Sequence, residues 1–348
     1  MKNISHFGKA VLGALPHQSL FFLGLLISLT SIFIVSCRRE IDIPVSSLNA
    51  KPSAAATASA TTSPVGGDKI TFVVDLFVAD KNGRFVQGLN QDNFNISDNA
   101  YTSYTYQLID VSKAGLTAKA GGYSAMLLLD QSGSISSSDP ENLRIDASKI
   151  FLSNLGAEDY AALSSFTTNY SNYFRLHSGF TNQTDRMKRS LDTLSNSVGG
   201  GTPLYSTTVQ AVNYTAQKGI TSNKAVIVFT DGENTESGSL LDATAAAIQQ
   251  KIPLFTVGLS TSINSSVLAQ MASETGGAFF YAKDAGQLIS SFGTLGNLLR
   301  GQGEIYRTTW SVSRSSGKWA VGQIISSTIQ VTLFDGSVIE VPFWLRVK

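Results

Sequence analysis

From residue 123 to residue 299 short apolar runs alternate with amphipathic stretches, and this alternation restricts the fold more than any other property of the chain. Residues 124–129, 160–166, 225–230, 253–258 and 278–281 read as strands, with a shorter one at 172–176. Residues 187–194, 204–217, 240–250, 267–274 and 285–299 read as helices. A further helix is expected from Asp139-Pro140-Glu141, with Asp139 as N-cap and Pro140 at the first helical position. Its Leu143, Ala147, Ile150, Phe151 and Leu155 share one face. The run Ala225-Val226-Ile227-Val228-Phe229-Thr230 is apolar without a break, as a strand covered on both faces must be. Strands alternating with helices imply an α/β domain over 121–302, a doubly wound and mostly parallel sheet.

In such sheets ligands sit beyond the carboxyl ends of the strands. Three polar loops are expected there. Asp130-Gln131-Ser132-Gly133-Ser134 ends the first strand, and Thr230-Asp231-Gly232-Glu233-Asn234 ends the run at 225–230. Between them Gly199-Gly200-Gly201-Thr202-Pro203 leads into a helix, without the Lys-Ser/Thr ending of a phosphate-binding loop. Two carboxylates and three hydroxyls thus converge from Asp130, Ser132, Ser134, Thr202 and Asp231. Hard oxygen donors of this kind suit Mg²⁺, Mn²⁺ or Ca²⁺ and not zinc or copper. Neutral hydroxyls leave much of the cation's charge uncompensated, so it retains an appetite for one more anionic ligand. Asp139, Glu233 and Asn234 read as cap and turn residues.

The Asp-x-Ser-x-Ser at 130–134, the Gly-Gly-Thr-Pro at 200–203 and the Thr-Asp-Gly at 230–232 resemble, in order, the three loops of the metal-ion-dependent adhesion site of von Willebrand factor A domains. The resemblance covers roughly 121–300 and no motif position is substituted. It implies that Ser132, Ser134 and Thr202 ligate a cation, most readily Mg²⁺, directly. Asp130 and Asp231 would act through water or directly, and a partner protein would offer a carboxylate to the open position.

Outside this region the chain changes character. A polar start with Lys2 and Lys9 precedes an apolar run over 20–36 that closes on Cys37, the chain's one cysteine. This is a signal-peptide layout over 1–36. Ile34-Val35-Ser36-Cys37 resembles a bacterial lipobox, which implies a lipid-modified Cys37; the alternative is a plain transmembrane anchor. Either places the remainder outside the cytoplasm and attached to a membrane. Residues 37–67, rich in Ala, Ser, Thr and Pro, are expected to be a flexible tether.

Two β-rich segments, 68–118 and 304–348, flank the α/β region. Neither is large enough to make a comfortable sandwich alone, so the expectation is one β-sandwich of Ig-like halves, split by the inserted A domain. All three tryptophans, Trp310, Trp319 and Trp344, are assigned to its core.

The formal net charge is +1, with no basic stripe interleaved with aromatics, so nucleic acid is not expected as a partner. An enzyme is not expected either. Of three histidines, His6 and His17 lie in the signal segment, and His177 reads as a surface residue with no second histidine for a triad or zinc site. The sequence therefore points to an envelope protein that grips a protein partner through a cation. The alternative is an assembly subunit of an envelope complex in which the metal mainly stabilises.

Overall fold

The computed structural model describes residues 49–59, 66–96, 104–195 and 197–348. The strands are β1 (Ser53–Ser59), β2 (Lys69–Ala79), β3 (Phe94–Ile96), β4 (Tyr104–Gly115), β5 (Tyr123–Asp130), β6 (Tyr160–Phe166), β7 (Phe174–Thr181), β8 (Asn223–Thr230), β9 (Leu254–Leu259), β10 (Phe279–Ala282), β11 (Glu304–Arg314), β12 (Ile324–Thr332) and β13 (Val338–Arg346). The helices are α1 (Ile135–Ser138), α2 (Leu143–Ser153), α3 (Asp185–Leu194), α4 (Leu204–Lys218), α5 (Leu240–Gln250), α6 (Ser265–Thr275) and α7 (Gly286–Leu299).

Strands β5, β6, β8, β9 and β10 are parallel, in the order β10-β9-β8-β5-β6, with β7 antiparallel at the edge. Their side chains divide by the period of two that pleating imposes. Ala125, Leu127 and Leu129 of β5, with Ile227 and Phe229 of β8, pack beneath α2, α3 and α7 among Phe151, Leu191 and Phe292. Met126, Leu128, Val226 and Val228 face the other way, toward α4, α5 and α6 among Val212, Ala247 and Met271. Burial on both faces is why β5 and β8 are unbroken apolar runs.

The flanking N- and C-terminal segments are β-strands, as expected. They extend the same sheet, which runs β4-β11-β2-β1-β10 and onward through β7, ten strands among the described residues. A small antiparallel sheet, β13-β12-β3, covers one face of this extension. N- and C-terminal segments do build a two-layer β core together. Phe72 of β2 stacks on Phe343 of β13 at 5.4 Å, and Tyr306 and Trp310 of β11 are buried beside them. Its larger layer, however, is continuous with the central sheet across the boundaries expected at 118–121 and 302–304.

The join is β1, which lies inside the stretch expected to be a tether. It pairs with β2 along its whole length and with β10 through Ala55 and Ala56. Composition misleads here because Ala54, Ala55 and Ala56 bury little area each. They occupy a slot between two edges that already exist, where the strand gains a ladder on both sides. The chain before it is fixed as well. Lys51 N–H donates to Gly286 O at 3.0 Å, and Ser290 Oγ donates to Lys51 O at 2.6 Å.

Two smaller expectations also change. Trp310 and Trp319 lie in the two-layer β core, but Trp344 points to the opposite side of β13, into the cluster with α6 and β10. The segment at 139–153 becomes helical only at Leu143, because Asn142 adopts φ 58°, a left-handed conformation that interrupts the helix. Asp139 nonetheless caps it from outside, accepting from Leu143 N–H at 2.7 Å and Arg144 N–H at 3.1 Å. Cys37 and the signal segment lie outside the described residues. Among the described residues no helix is long and apolar enough to cross a membrane.

Candidate metal centre

The three polar loops meet at the carboxyl ends of the parallel strands. Asp130 is the last residue of β5, Asp231 follows β8 directly, and Thr202 precedes α4. The loops are latched by backbone hydrogen bonds: Gly133 N–H donates to Gly200 O at 2.9 Å, and Gly199 N–H to Gln131 O at 2.8 Å. Gly200, at φ 80°, permits this approach, since a Cβ there would lie 2.6 Å from Thr168 Oγ1 and 2.7 Å from Thr167 Oγ1. The loop after β6 thus acts as a backing wall. Thr168 Oγ1 accepts from Gly201 N–H at 2.7 Å, and Thr167 Oγ1 donates to Gly199 O.

The side chains form one chain of contacts. Ser132 N–H donates to Asp130 Oδ1 at 2.7 Å, and the hydroxyls of Ser132 and Ser134 lie 3.1 Å apart. Ser134 Oγ donates to Asp231 Oδ1 at 2.7 Å. Thr202 lies across Gly232 from Ser134: a carbon added to Gly232 would sit 3.5 Å from Thr202 Oγ1 and 3.6 Å from Ser134 Oγ. All five residues singled out in the sequence are therefore brought together. Their exposure differs from a simple open rim. Thr202 and Asp231 are 4% and 3% exposed, and Ser134 is the open one.

Two hydroxyls were not foreseen as parts of the site. Thr230 Oγ1 donates to Asp130 Oδ2 at 2.6 Å, and Ser138 Oγ donates to Asp231 Oδ2 at 2.5 Å. Thr230 was within the quoted Thr-Asp-Gly, whereas nothing in the sequence distinguishes Ser138 from its serine neighbours. Behind the site, Arg144 pairs with Asp139 at 2.9 Å, both side chains fully buried, and its Nη2 donates to Gln131 Oε1 at 3.1 Å. Burial pushes the Asp139 carboxyl up against the pull of Arg144. Asn234 Oδ1 accepts from Tyr205 N–H at 3.2 Å, a cap on the start of α4.

The electrostatics are those of a site built for a positive charge. Asp130 is wholly buried beside Asp231, and neither carboxylate has an ion pair among the described residues. Burial first, and the nearby Asp231 second, push the Asp130 pKa from 3.8 to about 7, against the hydrogen bonds from Thr230 and Ser132. Among the described residues no three His, Cys, Asp or Glu side chains form a metal-holding group, so a cation here would rely on hydroxyls. The donor set fits a hard divalent ion: two carboxylates and three hydroxyls whose protons rotate freely away from a cation.

A pH dependence follows. The folded, metal-free chain keeps the Asp130 proton up to about pH 7, while the unfolded chain releases it near 3.8. Metal-free stability therefore falls as pH rises through that window. A bound cation removes the penalty, so the gain in Tm from Mn²⁺ should be larger at pH 8 than at pH 5.5. Thermal unfolding with and without Mn²⁺ at the two values checks this; an equal gain at both would contradict it.

His177 is half-buried rather than at the surface. Its Nε2 lies 2.8 Å from Ser165 Oγ, and burial, then Arg175, lowers its pKa to about 4.

Residues 126–294 match the model of the von Willebrand factor type A domain. A von Willebrand factor type A protein from Catenulispora acidiphila aligns over 86% of this chain and 74% of its own, with 13% identity and a TM-score of 0.46. Proximal thread matrix protein 1 from the mussel byssus, in a structure described as having a zinc occupied MIDAS motif, aligns over 59% of this chain and 49% of its own, at 17% identity and a TM-score of 0.43. The pilus adhesin SpaC from Lactobacillus rhamnosus GG aligns over 86% of this chain and 48% of its own, at 10% identity and a TM-score of 0.43. This chain spans about half the length of the mussel protein and of the adhesin. No curated protein matches it.

Proposed function

We propose that this protein, whose residues 126–294 match the von Willebrand factor type A domain model, holds a divalent cation between Asp130, Ser132, Ser134, Thr202 and Asp231 and uses it to bind a partner protein. The observation that carries this reading is the buried pair Asp130 and Asp231, which has no cationic side chain to balance it among the described residues and is ringed by hydroxyls at the strand ends. Mg²⁺ or Mn²⁺ suits the donors best, with Ca²⁺ as a third candidate. The cation would leave one position open at the Ser134 side, where the site reaches solvent, for a carboxylate of the partner.

In this reading the protein acts outside the cytoplasm, tethered to a membrane through Cys37, and carries out no catalysis. A stabilising role for the metal in an envelope assembly is favoured by one observation, the near-complete burial of Thr202 and Asp231. The two readings part in a pull-down from envelope extract in Mg²⁺ and in EDTA. Partner capture that is lost in EDTA while the chain stays folded supports adhesion. Equal capture in both supports the assembly role.

A further inference from the structure

Beside the cation site a groove of about 100 Å³ opens between the start of α4, the loop after β8 and the start of α6. Gly232 belongs to both, since a carbon added there would approach Thr202 Oγ1 and Ser134 Oγ and the residue also lines the groove. The groove therefore begins one residue from the candidate cation. Small-molecule pockets run to roughly 300–1,000 Å³. This one has room for a single side chain.

Its lining has two chemistries. Leu204 and Leu268 are buried and Val267 is half-buried, giving an apolar floor. Tyr205, Glu233, Asn234 and Asn264 add polar groups to the lining. Glu233 is exposed and has no ion pair among the described residues.

Resting on the adhesion reading above, we propose that this groove receives a lysine or arginine side chain of the partner, from a residue next to or near the carboxylate that the cation grips. An aliphatic stem matches the Leu204, Val267 and Leu268 floor, while the charged head reaches Glu233 and the Tyr205 ring. A second acidic side chain would meet Glu233 and be repelled. An apolar one would fill the floor but gain nothing from the Glu233 carboxylate, which is exposed and stays hydrated. The partner surface that fits is bipolar, one acidic residue on the cation and one basic residue in the groove.

An array of random hexapeptides, probed with the chain in Mn²⁺ and again in EDTA, tests this. Among peptides bound only in Mn²⁺, those with Lys or Arg within two positions of an Asp or Glu should bind about fivefold better than those with Ala there. Glu233→Gln should erase that preference, and Glu233→Lys should turn it toward a second acidic residue. Mn²⁺-dependent binding without a basic preference, or a preference unchanged in Glu233→Gln, would overturn the groove assignment and leave the adhesion reading standing. The absence of any Mn²⁺-dependent peptide would defeat both.

Discussion

Asp130→Asn is expected to weaken Mn²⁺ binding by about a hundredfold or more, and at the same time to stabilise the metal-free chain at pH 8. The two effects have one cause. Asp130 is buried beside Asp231, and its charged form persists above about pH 7 at a cost on the order of a few kcal/mol. Asparagine keeps a carbonyl oxygen for the Thr230 hydroxyl or Ser132 N–H, at nearly the same volume, and removes the charge. A residue that served only the fold would behave in the opposite way, because losing it would lower stability. Calorimetric Mn²⁺ titration and urea unfolding of the same variant separate the cases. Unchanged metal affinity with a less stable fold would contradict the assignment of Asp130.

Arg144→Met should cost about 3–5 kcal/mol, because it strands the buried Asp139 carboxylate without its counter-charge. The loss reaches the site through Gln131, whose Oε1 accepts from Arg144 Nη2 and whose backbone latches Gly199. Pairing the change with Asp139→Leu removes the stranded charge and should return much of the stability. Leu143 and Arg144 N–H then lose their cap, so recovery should be incomplete. Urea midpoints for the single and double variants measure both effects. A double variant no more stable than Arg144→Met would show that the ion pair is not the source of the loss.

These two residues illustrate what the sequence discloses and what it hides. β5 and β8 were legible because burial on both faces leaves an unbroken apolar run that few other environments tolerate. Asp130, Ser132, Ser134, Thr202 and Asp231 were legible because each sits at a fixed offset from a strand end or a helix start. Spacing, together with the order of the three loops and their resemblance to a known site, is what singles them out. Arg144 and Ser138 act through contacts with residues far along the chain or across a turn, and no local pattern marks them. Asn142 shows the limit for boundaries, since one left-handed residue moved the start of α2 to Leu143 while Asp139 kept its capping role from a distance. β1 shows the limit of composition. Its alanines, serines and threonine would stay unstructured alone, and they become a strand because β2 and β10 present two edges to fill. Trp344 shows the same for packing, as alternation along β13 sends it to the α-helical side of the strand.

The cation is the premise of both the adhesion reading and the groove, and calorimetric titration of Mg²⁺ and Mn²⁺ into the purified chain at pH 8 measures it most directly. Saturable binding of a single cation is expected, with a rise in Tm by mass action and loss of both in Thr202→Ala. No binding heat and an unchanged Tm at millimolar Mg²⁺ and Mn²⁺ would contradict it.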